Sequence, residues 1–298
     1  MMKALVTGGS GFIGSHIVDE LIRIGFTVTV IDNQSADAEQ FYFNDKATYV
    51  NQDVSNYQTT RVFYADIDYV FHLAAESRIG PAIANPIAAV QKNVLGTCTV
   101  LQCAREAGVK RVIYSSTSSG YGNNDYPNVE TQPDDSLNPY SVTKVAGEKL
   151  CKMYTDLFDL PTVVFRYFNV YGHRAPRKGQ YAPVIGIFCR QRDAEEPLTI
   201  VGDGEQCRDF VHVSDVVNAN LLAAIKEVDD DAFGMVYNIG TGQNYSVNQI
   251  ADWISDNQTN IPPRIGEVRI SLANIDRMRS TFGWEPKVEL ENWVKENV

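Results

Sequence analysis

The five cysteines, Cys98, Cys103, Cys151, Cys189 and Cys207, form no C-x-x-C pair, and the four histidines are scattered. That spacing argues against a structural zinc site. An odd number of thiols in a chain of 298 residues points to a reducing, cytoplasmic setting rather than to a disulfide framework. Apolar runs stop well short of the ~20 residues that a membrane helix needs. MMKALVTGG enters a strand pattern at once, so no signal peptide is expected, and Asn244-Tyr245-Ser246 is then a glycosylation acceptor without consequence. Basic residues are also in deficit, 26 Lys and Arg against 37 Asp and Glu, for a net charge of −11. Such a chain is repelled by nucleic acid and by anionic membranes, and neither is expected as a partner. No internal repeat or low-complexity tract stands out.

Hydrophobic residues make up 44% of the chain and charged ones 21%, enough for one large domain or two small ones sharing a core. Short β-branched runs at 3–7, 27–32, 69–73, 111–116 and 162–168 alternate with helical patterns near 12–24, 87–107 and 139–158. That beat predicts an α/β fold with a doubly wound parallel sheet of Rossmann type over residues 1–170. Beyond a Gly/Pro/Arg-rich loop, GHRAPRKGQ (172–180), the pattern becomes irregular. A smaller α/β lobe is expected over 171–298, with helices near 183–193, 213–228, 246–256 and 289–297 and a strand at 198–201. The stretch around 213–240 is expected to pack back on the sheet.

TGGSGFIGSH (7–16) places Gly8, Gly11 and Gly14 between the first strand and the first helix. Glycine lets a backbone approach a pyrophosphate, and the helix start aims N–H groups and partial positive charge at it. Asp32 ends the next strand, 18 residues after Gly14. A carboxylate there accepts from both hydroxyls of an adenosine ribose and repels a 2′-phosphate, which favours NAD over NADP. Asp53 and Val54, after the third strand, can either meet the adenine or cap a turn.

Asn138 and Pro139 announce the helix at 139–158 as N-cap and first helical residue. Tyr140 and Lys144, four apart, then lie on one helix face. An ammonium near a phenol lowers its pKa from about 10 toward neutrality and makes it a general base. Without context, a Tyr/Lys pair at this spacing reads more readily as an exposed helix face.

TGGSGFIGSH, HLAA (72–75), SSTSSGYG (115–122), YSVTK (140–144) and RYFNVYG (166–172) occur in an order that resembles the extended short-chain dehydrogenase/reductases. GDGEQCRDFVHVSDV (202–216) is similar to the nucleotide-sugar epimerases and dehydratases among them. The resemblance implies NAD in the first lobe and a nucleotide-diphosphate sugar, expected to be a UDP-sugar, in the second. It assigns to NAD the residues Gly8, Gly11, Phe12, Ile13 and Gly14, then Asp32, Asn33, Asp53 and Val54. Leu73, Ala74, Ala75, Asn93, Ser115, Tyr140, Lys144 and Phe168 complete that set. Tyr140, Lys144 and Thr117 are the implied catalytic residues, with Thr117 sharing the sugar O4 proton with Tyr140. Ser115, Ser116, Ser118 and Ser119 are left to turn backbone or cofactor.

For the sugar nucleotide the resemblance implies Thr117, Asn169, Thr199, Arg208, Arg269 and Ser271, with uracil met near residues 198–201. Without it, the two arginines read as surface charges. Related 4,6-dehydratases carry an Asp-Glu pair where this chain has Ser118-Ser119, so elimination lacks its acid and base. The implied reaction is 4-epimerisation of UDP-hexoses through a transient 4-keto sugar. Ser271 stands where a bulky tyrosine confines related enzymes to plain hexoses, so N-acetylated sugars are expected to fit as well. Asn274 departs from the aspartate usual in that segment. UDP-glucuronate 4-epimerisation or another reaction on the same scaffold is the rival, with Arg78 the candidate for a sugar carboxylate; a non-catalytic NAD or nucleotide-sugar sensor is the rival of a different class. Helices 87–107 and 139–158 carry apolar residues on more than one face (Val90, Val94, Leu101; Val145, Leu150, Tyr154), and a homodimer through them is expected.

Overall fold

The β-branched runs become strands of one parallel sheet in a computed structural model that describes residues 1–36, 40–178, 182–263 and 268–298. The strands are β1 (Lys3–Thr7), β2 (Thr27–Ile31), β3 (Thr48–Val50), β4 (Tyr69–His72), β5 (Arg111–Thr117), β6 (Thr162–Tyr167), β7 (Asn169–Tyr171), β8 (Leu198–Val201), β9 (Cys207–His212), β10 (Met235–Ile239), β11 (Asn244–Ser246) and β12 (Gln258–Ile261). Seven of them form one sheet in the order β10-β6-β5-β4-β1-β2-β3. Every pairing in it is parallel. The chain runs outward from β1 to β3 and then returns to β1's other side with β4. The crevice beyond the carboxyl ends of β1 and β4 is therefore a topological switch point, where open α/β sheets take ligands.

The helices are α1 (Phe12–Arg23), α2 (Tyr57–Thr60), α3 (Ile79–Ala84), α4 (Pro86–Val90), α5 (Gly96–Glu106), α6 (Pro139–Phe158), α7 (Val184–Asp193), α8 (Val213–Ile225), α9 (Val247–Ile254), α10 (Asp276–Phe282) and α11 (Leu290–Asn297). On one sheet face α1, α8 and α10 bury Ile17, Leu21, Val216 and Met278. On the other, α5 and α6 bury Val100, Leu101, Cys151 and Tyr154. The single helix expected at 87–107 is instead α4, a π turn at Gln91–Leu95 and α5. Its widened turn carries Asn93 inward, and π turns of this kind recur at functional sites.

α6 starts where the sequence signals it. Asn138 Oδ1 accepts from Ser141 N (3.0 Å), Asn138 N donates to Ser141 Oγ (3.3 Å), and Pro139 opens the first turn. The C-terminal elements make a three-stranded sheet, β11-β9-β7, and a β12-β8 pair. α7, α9 and α11 cover a third core around Phe188, Leu198, Phe210 and Ile250. Gly179 and Gln180 of the long loop, and Gly266 and Glu267 ahead of Arg269, lie outside the described residues. Among the described residues no helix is long and apolar enough to cross a membrane.

Candidate active site

One cavity of about 770 Å³ runs from the β1–α1 turn to the C-terminal sheets. At one end Gly8, Gly11, Phe12, Ile13 and Gly14 line it. Gly11 caps α1 with no side-chain hydrogen bond, and no acidic residue occupies the first turn, so the positive end of the helix faces the cavity uncompensated. A Cβ on Gly14 would stand 2.2 Å from Gly8 O, so the tight turn that exposes these amides admits only glycine there. This cradle fits a pyrophosphate.

Asp32 follows β2 at the same end, lined up by Ser10 N (3.1 Å), Ser10 Oγ (2.5 Å) and Gln34 N (2.8 Å) donating to its carboxylate. Asn33 Nδ2 donates to Asp53 Oδ2 (3.1 Å), and Ser55 N to Asp53 Oδ1 (2.9 Å). Asp32, Asn33, Asp53 and Val54 all line the cavity, as do Leu73, Ala74 and Ala75 after β4.

A buried relay sets the β4 end. Leu73 N and Ala74 N donate to Thr7 Oγ1 (both 3.2 Å), which lies 2.7 Å from His72 Nδ1. His72 Nε2 meets Thr97 Oγ1 (3.0 Å), which donates to Asn93 O (2.6 Å). Because the Thr97 proton goes to Asn93 O, His72 carries its proton on Nε2 and is neutral. Burial, with the Lys144 charge adding to it, holds its pKa down at about 3.

At the centre Ser115, Thr117, Tyr140, Lys144 and Phe168 converge on the cavity. Thr117 closes β5. Its Oγ1 accepts from Ser119 N (3.1 Å), and its hydroxyl lines the cavity with the Tyr140 phenol of the first turn of α6. Burial pushes Tyr140 above its ordinary value, the Thr117 hydroxyl pulls it down, and the Glu76 carboxylate raises it again. The expected depression of this phenol by Lys144 is absent from that balance. The Lys144 ammonium instead stands 4.3 Å from the centroid of the Tyr114 ring, and burial lowers its own pKa to about 7. Of the serines, Ser115 Oγ meets Tyr167 Oη (3.0 Å), while Ser116, which also lines the cavity, donates its Oγ proton to Glu148 under α6 (2.5 Å).

In the second half, Asn169, Thr199, Arg208 and Ser271 line the same cavity. Asn169 Nδ2 donates to Asp209 O (2.8 Å), and Gln191 Nε2 donates to Thr199 Oγ1 (2.9 Å). Asp209 is a knot, accepting from Thr241 N, Gly242 N and Ala273 N (2.8, 3.0 and 3.0 Å). Two expected site residues are placed elsewhere. Arg269 makes an exposed two-pronged pair with Asp203 (2.8 and 2.9 Å), because the extended backbone turns Val268 and Ile270 to the cavity instead. Asn93 is buried, accepting from Glu76 N (2.7 Å) and donating to Glu76 O (3.0 Å) and Thr143 Oγ1 (2.8 Å). Sequence reasoning missed Tyr121, Gln206 and Phe210 as lining residues, and the His72 relay. The HLAA motif (72–75), which His72 opens, was the signal that could have drawn it in.

The profile of the NAD dependent epimerase/dehydratase family matches residues 4–240. The chain belongs to that family. A UDP-glucose 4-epimerase of Mycolicibacterium smegmatis is 34% identical over 311 residues, 100% of this chain and 97% of the relative. The structure of a Thermotoga maritima UDP-glucose 4-epimerase with UDP-glucose superposes with a TM-score of 0.92 at 36% identity, over 99% of this chain and 96% of that one. A Methanobrevibacter ruminantium UDP-N-acetylglucosamine 4-epimerase, solved with UDP-N-acetylmuramic acid, gives 0.91 at 32%, over 99% and 96%. The chain thus has the extended short-chain dehydrogenase/reductase fold and, as a member of an NAD-dependent family, NAD as its cofactor.

Proposed function

We propose that the chain is a UDP-hexose 4-epimerase, interconverting UDP-glucose and UDP-galactose and, because Ser271 is small, their N-acetylated forms. The observation that carries this is the convergence of Thr117, Tyr140 and Lys144 inside the cavity that the glycine turn opens. Ser118 and Ser119 stand beside it where an eliminating enzyme needs carboxylates. Among the described residues the carboxylates lining the cavity are Asp32 and Asp53, both at the β2–β3 end.

NAD, when bound, supplies a hydride acceptor and a ring cation, which makes oxidation at one sugar carbon reversible. Gly8, Gly11 and Gly14 hold its pyrophosphate, Asp32 its ribose, and Lys144 and Phe168 the reacting end. Tyr140 takes the proton of the sugar 4-hydroxyl and later returns it, with Thr117 bonded to both oxygens in turn. Inversion requires the sugar ring to present its second face, so the grip falls on the nucleotide. Arg208 and Asn169 hold the diphosphate, and Thr199 lies beside the base. Arg269 joins them only by exchanging Asp203 for phosphate. In this reading residues 1–170 serve mainly NAD and 171–298 mainly the sugar nucleotide, in the cytoplasm.

Incubating the purified protein with UDP-galactose and no added reductant tests the reading. UDP-glucose formed without net NADH supports it. Stoichiometric NADH, or no product, overturns it. A second reading, 4-epimerisation of UDP-glucuronate, is favoured by Arg78 and Lys92, which also line the cavity and both approach Glu76 (3.9 and 3.3 Å). Faster turnover of UDP-glucuronate than of UDP-galactose would select it.

A homodimer is part of the proposal. Of the residues expected on the faces, Leu101, Val145 and Tyr154 are buried within the chain, whereas Val90 is exposed. Ile87 (81% exposed) and Leu157 (66%), with Val90, Leu95, Val142 and Met153, are left open on the same helices. Sedimentation should give twice the chain mass for the wild type and the chain mass for Ile87→Asp/Leu157→Asp.

A further inference from the structure

Glu148 lies one helical turn beyond Lys144 on α6, and its side chain is 3% exposed. A carboxylate so buried is costly unless it is paired and fully bonded. Ser116 Oγ and Arg166 Nε donate to its Oε1 (2.5 and 2.9 Å), and Arg166 Nη2 donates to Oε2 (2.7 Å). Ser116 and Arg166 are register partners on β5 and β6, so both reach the carboxylate from the sheet. The guanidinium also reaches Asp134 (2.6 Å), which pairs with Lys149 (2.8 Å), and it lies 4.5 Å from the centroid of Tyr121 at the cavity wall. One turn earlier Tyr114 Oη donates to Lys144 O (3.2 Å). Gly147 permits that approach, since a Cβ there would stand 2.2 Å from the phenol oxygen. β5 therefore grips α6 at Lys144 and again at Glu148, and the next residue along from Ser116 is Thr117.

We infer that Glu148, held by Ser116 and Arg166, is a positioning residue for the reacting pair: it fixes α6 over β5 so that Tyr140 and Lys144 stand against Thr117 in the cavity. The inference rests on the reading of Tyr140 and Lys144 given above. The titratable groups facing Lys144 are Tyr114 on β5, His72 on β4, and Glu148 and Cys151 on α6. Burial lowers Lys144, and Cys151 and Glu148 raise it. Burial pushes the Cys151 thiol well up, so it is neutral at working pH, as is His72. Glu148 is then the charge of this group that opposes burial. Arg166 offsets part of it, but Asp134 shares that guanidinium.

The test compares NAD-loaded wild type, Glu148→Gln, Glu148→Asp and Tyr140→Phe in steady-state kinetics with UDP-galactose from mildly acidic to alkaline pH. Glu148→Gln should lower kcat roughly tenfold at near-constant KM. It should also move the alkaline limb of kcat down by roughly one pH unit, because Lys144 then loses its proton sooner. Glu148→Asp should restore the limb. If Glu148→Gln does not fold, Glu148→Gln/Arg166→Gln, which buries no unpaired cation, should move the limb in the same direction by a smaller amount. An unmoved limb with Tyr140→Phe inactive overturns this inference alone, whereas an active Tyr140→Phe overturns the underlying reading too.

Discussion

The hydroxyl of Thr117, the last residue of β5, lines one cavity with the phenol of Tyr140 in the first turn of α6 and draws the phenol's pKa down. Its oxygen accepts from Ser119 N, which leaves its proton for a second partner. Thr117→Val keeps the volume and removes that donor. It should reduce kcat by roughly a hundredfold with KM for UDP-galactose little changed, and Thr117→Ser should retain most activity, as steady-state kinetics can check.

Gly14→Ala puts a Cβ 2.2 Å from Gly8 O, a contact that only a backbone shift relieves. The turn that presents amides to the pyrophosphate then opens. NAD affinity should fall by at least roughly tenfold, measured by fluorescence titration, and melting temperature should drop with a loss of about 1–3 kcal/mol.

Ser271 lines the cavity, and its Oγ makes only long bonds, accepting from Asp209 N at 3.4 Å and Asn169 Nδ2 at 3.5 Å. Replacing it disturbs little except space. Ser271→Tyr should lower the ratio of kcat/KM for N-acetylated over plain UDP-hexoses by roughly tenfold or more. An unchanged ratio would refute the pocket-size argument.

His72 is buried neutral, with its pKa lowered from 6.5 to about 3. Between those values the unfolded chain binds the proton and the folded one does not, so this group makes stability fall as pH drops below 6.5. At pH 5 the loss amounts to about 2 kcal/mol. Denaturant unfolding of His72→Gln should show a shallower decline of stability over that window than the wild type.

The sheet strands β1, β2, β4, β5 and β6 were legible because each is a short β-branched run, and α6 because Asn138 and Pro139 mark its start. β9 was hidden: CRDFVH mixes charge into a strand that pairs with β7 and β11, both only three residues long. β10 joins the main sheet beside β6 across more than seventy residues of chain; the stretch around 213–240 was expected to pack back, but no local period marked a strand there or its partner. Most of the candidate site could be named from motifs, because the glycine turn, Thr117, Tyr140 and Lys144 sit at fixed spacings. Arg269 and Asn93 could not be placed, since which way one side chain turns depends on partners such as Asp203 and Glu76. Glu148 and Arg166 read as ordinary charges on a helix and a strand. Only the register of β5 against β6 reveals that they share one buried site.

The most direct measurement is UDP-galactose turnover by Tyr140→Phe loaded with NAD to the wild-type level. The change removes one oxygen and leaves the cavity shape, so kcat should fall by roughly 10²–10⁴-fold while NAD and sugar nucleotide still bind. Turnover within a few-fold of the wild type would contradict the assignment of the proton-transferring group.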